Sequence, residues 1–425
     1  MRLIETPPSS QGANAGDALS PSPSAARRAD GPAILSHGFR PFFLAAGAWG
    51  VLAMAVWLFV VLGAVAVPTA FSTVDWHAHE MIFGYAGAVV AGFLLTAIPN
   101  WTGRLPVAGA PLAALTLLWA AGRIAVAFSA EIGRIAAGAV DCAFLGFFVV
   151  VVAAEVAFGR NARNIKVALL VVALALANIA FHVEDARTGL AEYSARAALA
   201  LVVFLILLIG GRVTPSFTNN WLAKAGIADR PAPFGAADGL ALAGSGLALA
   251  AWVAEPESSA TGALLLLAGA ANVCRLSRWR GLATRADALY FVLHAGFGLT
   301  AFGFLVAGAG ALWPAWVSYA VGVHVWGIGG IGTMTLAMMT RATLGHTGRP
   351  LIASAGTKFA YLCVVAALVA RVGMTLAPSR GLLLMHIAAL AWLTGFLTFV
   401  IIYGPMLVRR SARLTAVKAG QPPRS

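Results

Sequence analysis

Charge is what this chain has least of. Only 11% of its 425 residues are Asp, Glu, Lys or Arg, against about 25% in ordinary soluble chains. That composition excludes a water-facing globule. Cysteine is nearly missing as well. Cys142, Cys274 and Cys363 are single and far apart. Covalent haem attachment through Cys-x-x-Cys-His and paired-thiolate zinc spacing are therefore excluded, and the three read as small buried apolar residues. No clear internal repeat is visible, which counts weakly against transporters built from repeated halves.

What the chain has instead is apolar length. Hydrophobic residues make up 60% of it and the mean hydropathy is +0.85. Runs of about 20 apolar residues recur, the length a helix needs to cross a bilayer core of about 30 Å. Twelve are expected, near 42–66, 80–98, 108–128, 135–158, 166–183, 195–212, 237–254, 261–275, 286–308, 314–340, 357–376 and 382–407. The eighth is short and the tenth long. The fold class this implies is an all-α polytopic membrane protein.

The net charge of +13 first suggests nucleic acid, but its placement argues otherwise. With the N-terminus in the cytoplasm, all of the 29 Lys and Arg fall on the cytoplasmic side except Arg123, Arg134, Arg187, Arg196, Arg371 and Arg380. This is the positive-inside bias. It predicts twelve crossings with both termini cytoplasmic, a partner in the lipid bilayer, and no nucleic acid. Residues 1–35 read as a disordered tail rather than a signal peptide, which would carry a hydrophobic core. Residues 36–408 form a single membrane domain, and 409–425 a basic tail. The longest loop, about 213–236, is expected on the cytoplasmic side and carries Thr214 to Trp221.

The densest chemistry opens the second run, at Asp75-Trp76-His77-Ala78-His79-Glu80-Met81. Polar groups at membrane depth are costly and mark functional sites. Of eight histidines, His37 and His346 fall in the tail and a loop. The other six, His77, His79, His182, His294, His324 and His386, lie at or within membrane depth. Imidazole is a common ligand for copper, iron and zinc. Four of the six lie near the periplasmic face. His294 and His324 lie about 12 Å from opposite boundaries, so their depths differ by about 6 Å across the core. One cofactor near the middle is within reach of both, if their helices are neighbours.

Helical spacing puts His77, Glu80, Met81 and Gly84 on one small-residued face, with His79 and Phe83 opposite. On that reading Glu80 supports His77 and Met81 adds a soft donor suited to copper(I). If the first turn is a loop instead, both histidines can converge on one metal. The plain alternative is a helix cap with Asp75 at its start. Asn178 and His182 share a face of the fifth run, and Asp287, Tyr290 and His294 share one in the ninth. His324 shares its face with Gly327 and Ile331 in a glycine-rich tenth run, where close helix packing competes with a cofactor lying on glycine. His386 has only apolar partners on its own helix.

Several ordered motifs carry a resemblance. Gly38-Phe39-Arg40-Pro41-Phe42-Phe43-Leu44, the stretch His77 to Arg104, Gly210-Gly211-Arg212-Val213-Thr214-Pro215-Ser216-Phe217-Thr218-Asn219-Asn220, and Gly332-Thr333-Met334-Thr335 through Gly345-His346-Thr347-Gly348-Arg349-Pro350 together resemble the NnrS family of bacterial membrane proteins, from about residue 36 to about 408. The resemblance implies a twelve-helix, haem- and copper-containing protein of the cytoplasmic membrane, associated with denitrification and with tolerance of nitric oxide. It carries over His77, His79, His324 and His346 as motif histidines, without saying which metal each binds.

Haem without Cys-x-x-Cys-His must be bound non-covalently through axial ligands such as histidine. The working assignment is haem b on His324 with His294 or His386, and copper near His77, His79 and His182 with Met81. Asp75, Glu80 and Asn178 support the ligands, and nitric oxide is the small ligand. Two other classes compete. A respiratory haem–copper nitric oxide reductase also has about twelve helices, but such enzymes pair histidines in a way this chain does not. A secondary transporter would use Asp141, Glu155 or Asp287 for proton coupling.

Overall fold

The computed structural model describes residues 31–102, 105–158 and 165–410. The expected tails therefore lie mostly outside the described residues, as do Arg104, Arg160 and Arg163. Among the described residues there are helices and no strand.

Twelve helices are long and apolar enough to cross a membrane: α1 (Phe39–Val61), α2 (Thr73–Pro99), α3 (Ala110–Ala127), α4 (Arg134–Phe158), α5 (Ile165–Thr188), α6 (Glu192–Lys224), α7 (Ala236–Ala254), α8 (Ser259–Ser277), α9 (Ala288–Leu312), α10 (Tyr319–His346), α11 (Ala355–Leu376) and α12 (Pro378–Val408). Each expected run falls on one of them. One expected loop does not survive. Residues 211–224 continue α6 as helix, Pro215 included, so the connection to α7 begins only after Lys224. The stretch reads as a loop because it is polar. Thr214 and Thr218 nevertheless turn inward to a buried seam, which a composition argument does not detect.

Consecutive helices pack on one another, and α12 returns to pack along α1. The helices α2, α6, α9 and α10 are the most enclosed. Three of these four contain a π-helical turn, at Glu80–Ala86, Ile206–Gly210 and Val325–Gly332. Such turns widen the helix and free a carbonyl, and they concentrate at functional sites. In α2 the Gly84 carbonyl accepts from Trp119 Nε1 at 2.9 Å.

Most glycines of α10 are packing glycines. A Cβ at Gly322, Gly329, Gly330 or Gly332 would strike Ala307, Leu368, Thr300 or Trp392 at 2.7–2.9 Å. Gly327 differs, since a Cβ there meets nothing within 4 Å.

Alternation of the helices puts the starts of α2, α4, α10 and α12 and the ends of α3, α5 and α11 at one end of the bundle, the His77 end. The opposite one is the Arg40 end. There Arg40 donates to the Met406, Leu407 and Arg409 carbonyls at 3.2, 2.8 and 3.0 Å, closing the last turn of α12.

Candidate metal centre

The site is assembled where α2, α3, α4 and α5 meet at the His77 end. Ser72 starts α2: its hydroxyl accepts from the Asp75 amide at 3.1 Å and donates to the Asp75 carboxylate at 2.8 Å. Ser72 is thus the N-cap, and the Asp75 carboxylate in the first turn holds its hydroxyl. After His79 the backbone enters its π turn, which closes i→i+5 bonds and rotates the following side chains away from α-helical register. Glu80 consequently meets His79, with Oε1 3.1 Å from Nδ1. The expected partnership of Glu80 with His77 is corrected.

Arg123 and Asp141 complete the arrangement. Arg123 Nη1 donates to both Glu80 oxygens at 3.0 and 3.1 Å, and Nη2 donates to Asp141 Oδ1. Asp141 Oδ2 accepts from Asn178 Nδ2 at 2.9 Å and faces His182 Nε2 at 3.0 Å and His79 Nε2 at 3.2 Å. Asn178 Oδ1 is 3.1 Å from that same His79 nitrogen. His79, Glu80, Asp141, Arg123 and Asn178 are all buried.

Two glycines make this approach geometrically possible. A Cβ at Gly84 would sit 2.9 Å from both Arg123 Nη1 and Glu80 Oε2. One at Gly122 would sit 2.8 Å from Asp141 Oδ1 and 3.0 Å from its Cα. Aromatic rings seal the cluster from water. Phe71, Phe83 and Phe181 lie 5.0–5.3 Å from the imidazoles, ring centre to ring centre.

Charge balance states what the cluster needs. Glu80 and Asp141 are countered by a single guanidinium, leaving one negative charge in a dry site, where unbalanced charge is costly. Both ring nitrogens of His79 face acceptor oxygens, so both must donate, and the imidazolium form restores neutrality. A bound cation does the same. One ligand atom each from His79, Asp141 and His182 lie within 4.8 Å of one another, the group of this kind found among the described residues. Two imidazoles and a carboxylate suit copper, iron or zinc. Glu80 behind His79 fixes the ring as outer partners of ligating histidines do.

The NnrS protein family model matches residues 33–411. The chain belongs to the NnrS family. No curated protein matches it.

The remaining expected residues separate into different surroundings. His77, two positions before His79, faces away from the cluster: its ring lies 4.5 Å from that of Trp57 on α1, and its buried Nδ1 has no partner among the described residues. His324 and Arg371 lie near His77, and Arg371 lies near His324 as well. His324 donates Nδ1–H to the Ala320 carbonyl at 2.7 Å, and His386 does the same to Leu382 at 2.7 Å. Such a bond fixes the tautomer and leaves Nε2 as the ligand nitrogen. Gly327, with open space at its Cβ position, follows His324 by one turn.

His294 lies toward the Arg40 end. Its Nε2 pairs with the Thr218 hydroxyl at 2.8 Å, and its ring sits against Gly281. Among the described residues no contact joins it to His324. The His346 ring lies tilted against that of Phe39 at 5.3 Å, also at the Arg40 end. Met81 packs against the apolar core. Sequence reasoning misses Asp141 and Arg123 as members of the site, although both stand inside apolar runs, where a charge is itself the signal.

Proposed function

We propose that this NnrS-family chain is a haem- and copper-binding protein of the bacterial cytoplasmic membrane that acts in the response to nitric oxide. The observation that carries the proposal is the His79–Asp141–His182 group, its first two members buried and the third partly so, in a cluster with one more carboxylate than Arg123 balances. Copper would be held by these three, with Glu80 fixing His79, Asn178 holding Asp141 Oδ2 and Arg123 holding Asp141 Oδ1. Copper bound there supplies a one-electron redox centre accessible to a small neutral gas.

The chain's own groups do the rest. The phenylalanine wall excludes water, Glu80 keeps the His79 tautomer, and Arg123 keeps the net charge low enough for a cation to enter and leave with little change elsewhere. Haem b would be held by His324, with His77 as the imidazole on the facing helix and Arg371 as a nearby cation for its carboxylates. His386, which has the same Nδ1–carbonyl bond as His324, is the other imidazole that would hold it. The space at Gly327 favours a planar group beside His324.

The test is metal and pigment analysis of protein purified after growth with copper and haem supply. Near-stoichiometric copper and a Soret band support the proposal; their absence refutes it. A second reading, proton-coupled transport, has one observation in its favour: the same cluster can carry a proton on His79 in place of a metal. That reading predicts protein free of both cofactors and proton uptake driven by a solute gradient.

A further inference from the structure

We infer that Asp75 and Asp185 form an outer cation site at the His77 end, through which a metal ion passes to His182 and the cluster beneath it. The inference rests on the copper reading above and adds the way in.

Three residues around this site stand in terminal turns of three helices. Asp75 is in the first turn of α2, Arg134 begins α4, and Asp185 lies about one turn before the end of α5. The cluster lies deeper. Asp141 is about 10 Å along α4 from Arg134, and Asn178 about 10 Å along α5 from Asp185, at 1.5 Å per residue. His182 stands between the two levels, about 4.5 Å along α5 from Asp185. It is also the member of the metal group that reaches outward: its side chain is 12% exposed, against 0% for His79 and Asp141.

Charge at the outer level is uneven, as it is below. Asp185 Oδ2 accepts from Arg134 Nη1, and Asp75 and His182 lie near Asp185 as well. Asp75 Oδ2 is held by the neutral Ser72 hydroxyl at 2.8 Å. Two carboxylates thus share the guanidinium of Arg134. Asp185 Oδ1 is buried without a partner among the described residues, on a side chain only 1% exposed. A charged acceptor left enclosed with no donor is costly. A tie between helix ends needs only Oδ2, whereas a cation on its way to His182 needs Oδ1.

Arg134 closes this passage. Besides Asp185 Oδ2 it donates to the Asp185 carbonyl at 3.3 Å and to the Ala70 carbonyl at 2.8 Å. Ala70 precedes Phe71, whose ring lies 5.3 Å from the rings of both His79 and His182. The guanidinium therefore pins the segment that carries the phenylalanine cover. Its side chain is 43% exposed, so it can swing into water and release the cover and Asp185 together. Carboxylate oxygens hold copper less firmly than imidazole does, which suits a site that passes the ion on.

The experiment is stopped-flow loading of the copper-stripped full chain in detergent with copper(II) in glycine buffer. Tryptophan quenching reads the rate, and elemental analysis reads the final copper content. Asp185→Asn removes the excess negative charge of the outer site, and Arg134→Met doubles it while freeing the Phe71 segment. Loading should slow about 10-fold in the first and quicken about 10-fold in the second, as attraction of an ion by a charged cleft requires. The slowing should shrink as salt is raised, and final copper content should stay unchanged. Asp75→Asn should slow loading as Asp185→Asn does, which guards against a local folding defect in either. Equal rates in wild type and variants, or slowing that salt does not diminish, overturns the passage and leaves the copper reading standing. Copper lost at equilibrium from Asp185→Asn makes that residue a ligand of the final site and also overturns it. Wild-type protein that takes up no copper overturns both.

Discussion

His77 and His79 stand two positions apart on α2 and face different helices: His79 is held by Glu80, Asp141 and Asn178 from α2, α4 and α5, while His77 lies against Trp57 with His324 and Arg371 nearby. One short stretch of backbone is therefore the common wall of two histidine sites. On the proposed assignment, removing ligands at one site should have little effect on binding at the other.

Replacing Glu80 by Gln keeps the shape and removes the charge behind His79. Loss of such an outer carboxylate should weaken copper about 10- to 100-fold. The measurement is a competition titration with a copper chelator, and an unchanged affinity would mean that Glu80 serves only to pair with Arg123.

Among the described residues, Arg123 is the one guanidinium against Glu80 and Asp141 in the cluster. Arg123→Met leaves two buried carboxylates with the His79 imidazole as the remaining balancing group and should destabilise the fold by about 3–5 kcal/mol. Thermal unfolding followed by circular dichroism reads the loss. Adding Glu80→Gln to that variant should recover part of it, and failure to recover any would show that the cost is packing rather than charge.

Much of this architecture is legible in the sequence because hydropathy is a one-dimensional signal. All twelve crossings follow from run length, and His79, His182, Glu80 and Asn178 stand out as polar groups at costly depth. Their grouping is not legible. A π turn at Glu80–Ala86 changes which side chains share a face, and periodicity arguments assume the ordinary 3.6-residue turn. Asp141 and Arg123 come from other helices, so only tertiary packing reveals that they meet His79 and Glu80. The polar helix at 211–224 reads as loop for the opposite reason: its buried threonines turn to neighbours rather than to water.

Acid should compete with copper. Since His79 donates from both nitrogens in the metal-free cluster, a metal at Nε2 must displace a proton, and affinity should fall as the pH is lowered. Proton release on copper addition, followed in weakly buffered solution with an indicator dye, should approach one per site. No release at neutral pH would place the metal elsewhere.

Gly122→Ala introduces a Cβ that would come within 3.0 Å of the Asp141 Cα. Backbone cannot retreat as a side-chain end can, so α3 and α4 must separate there. The expected result is lost copper with retained haem, read by elemental analysis beside the Soret absorbance.

The central claim is that copper and haem occupy opposite sides of α2. It is tested most directly by measuring both cofactors in His79→Ala and His324→Ala proteins purified side by side. The account predicts that His79→Ala loses copper and keeps the Soret band, while His324→Ala loses the Soret band and keeps copper. Loss of both cofactors from each variant, or of neither, would contradict it.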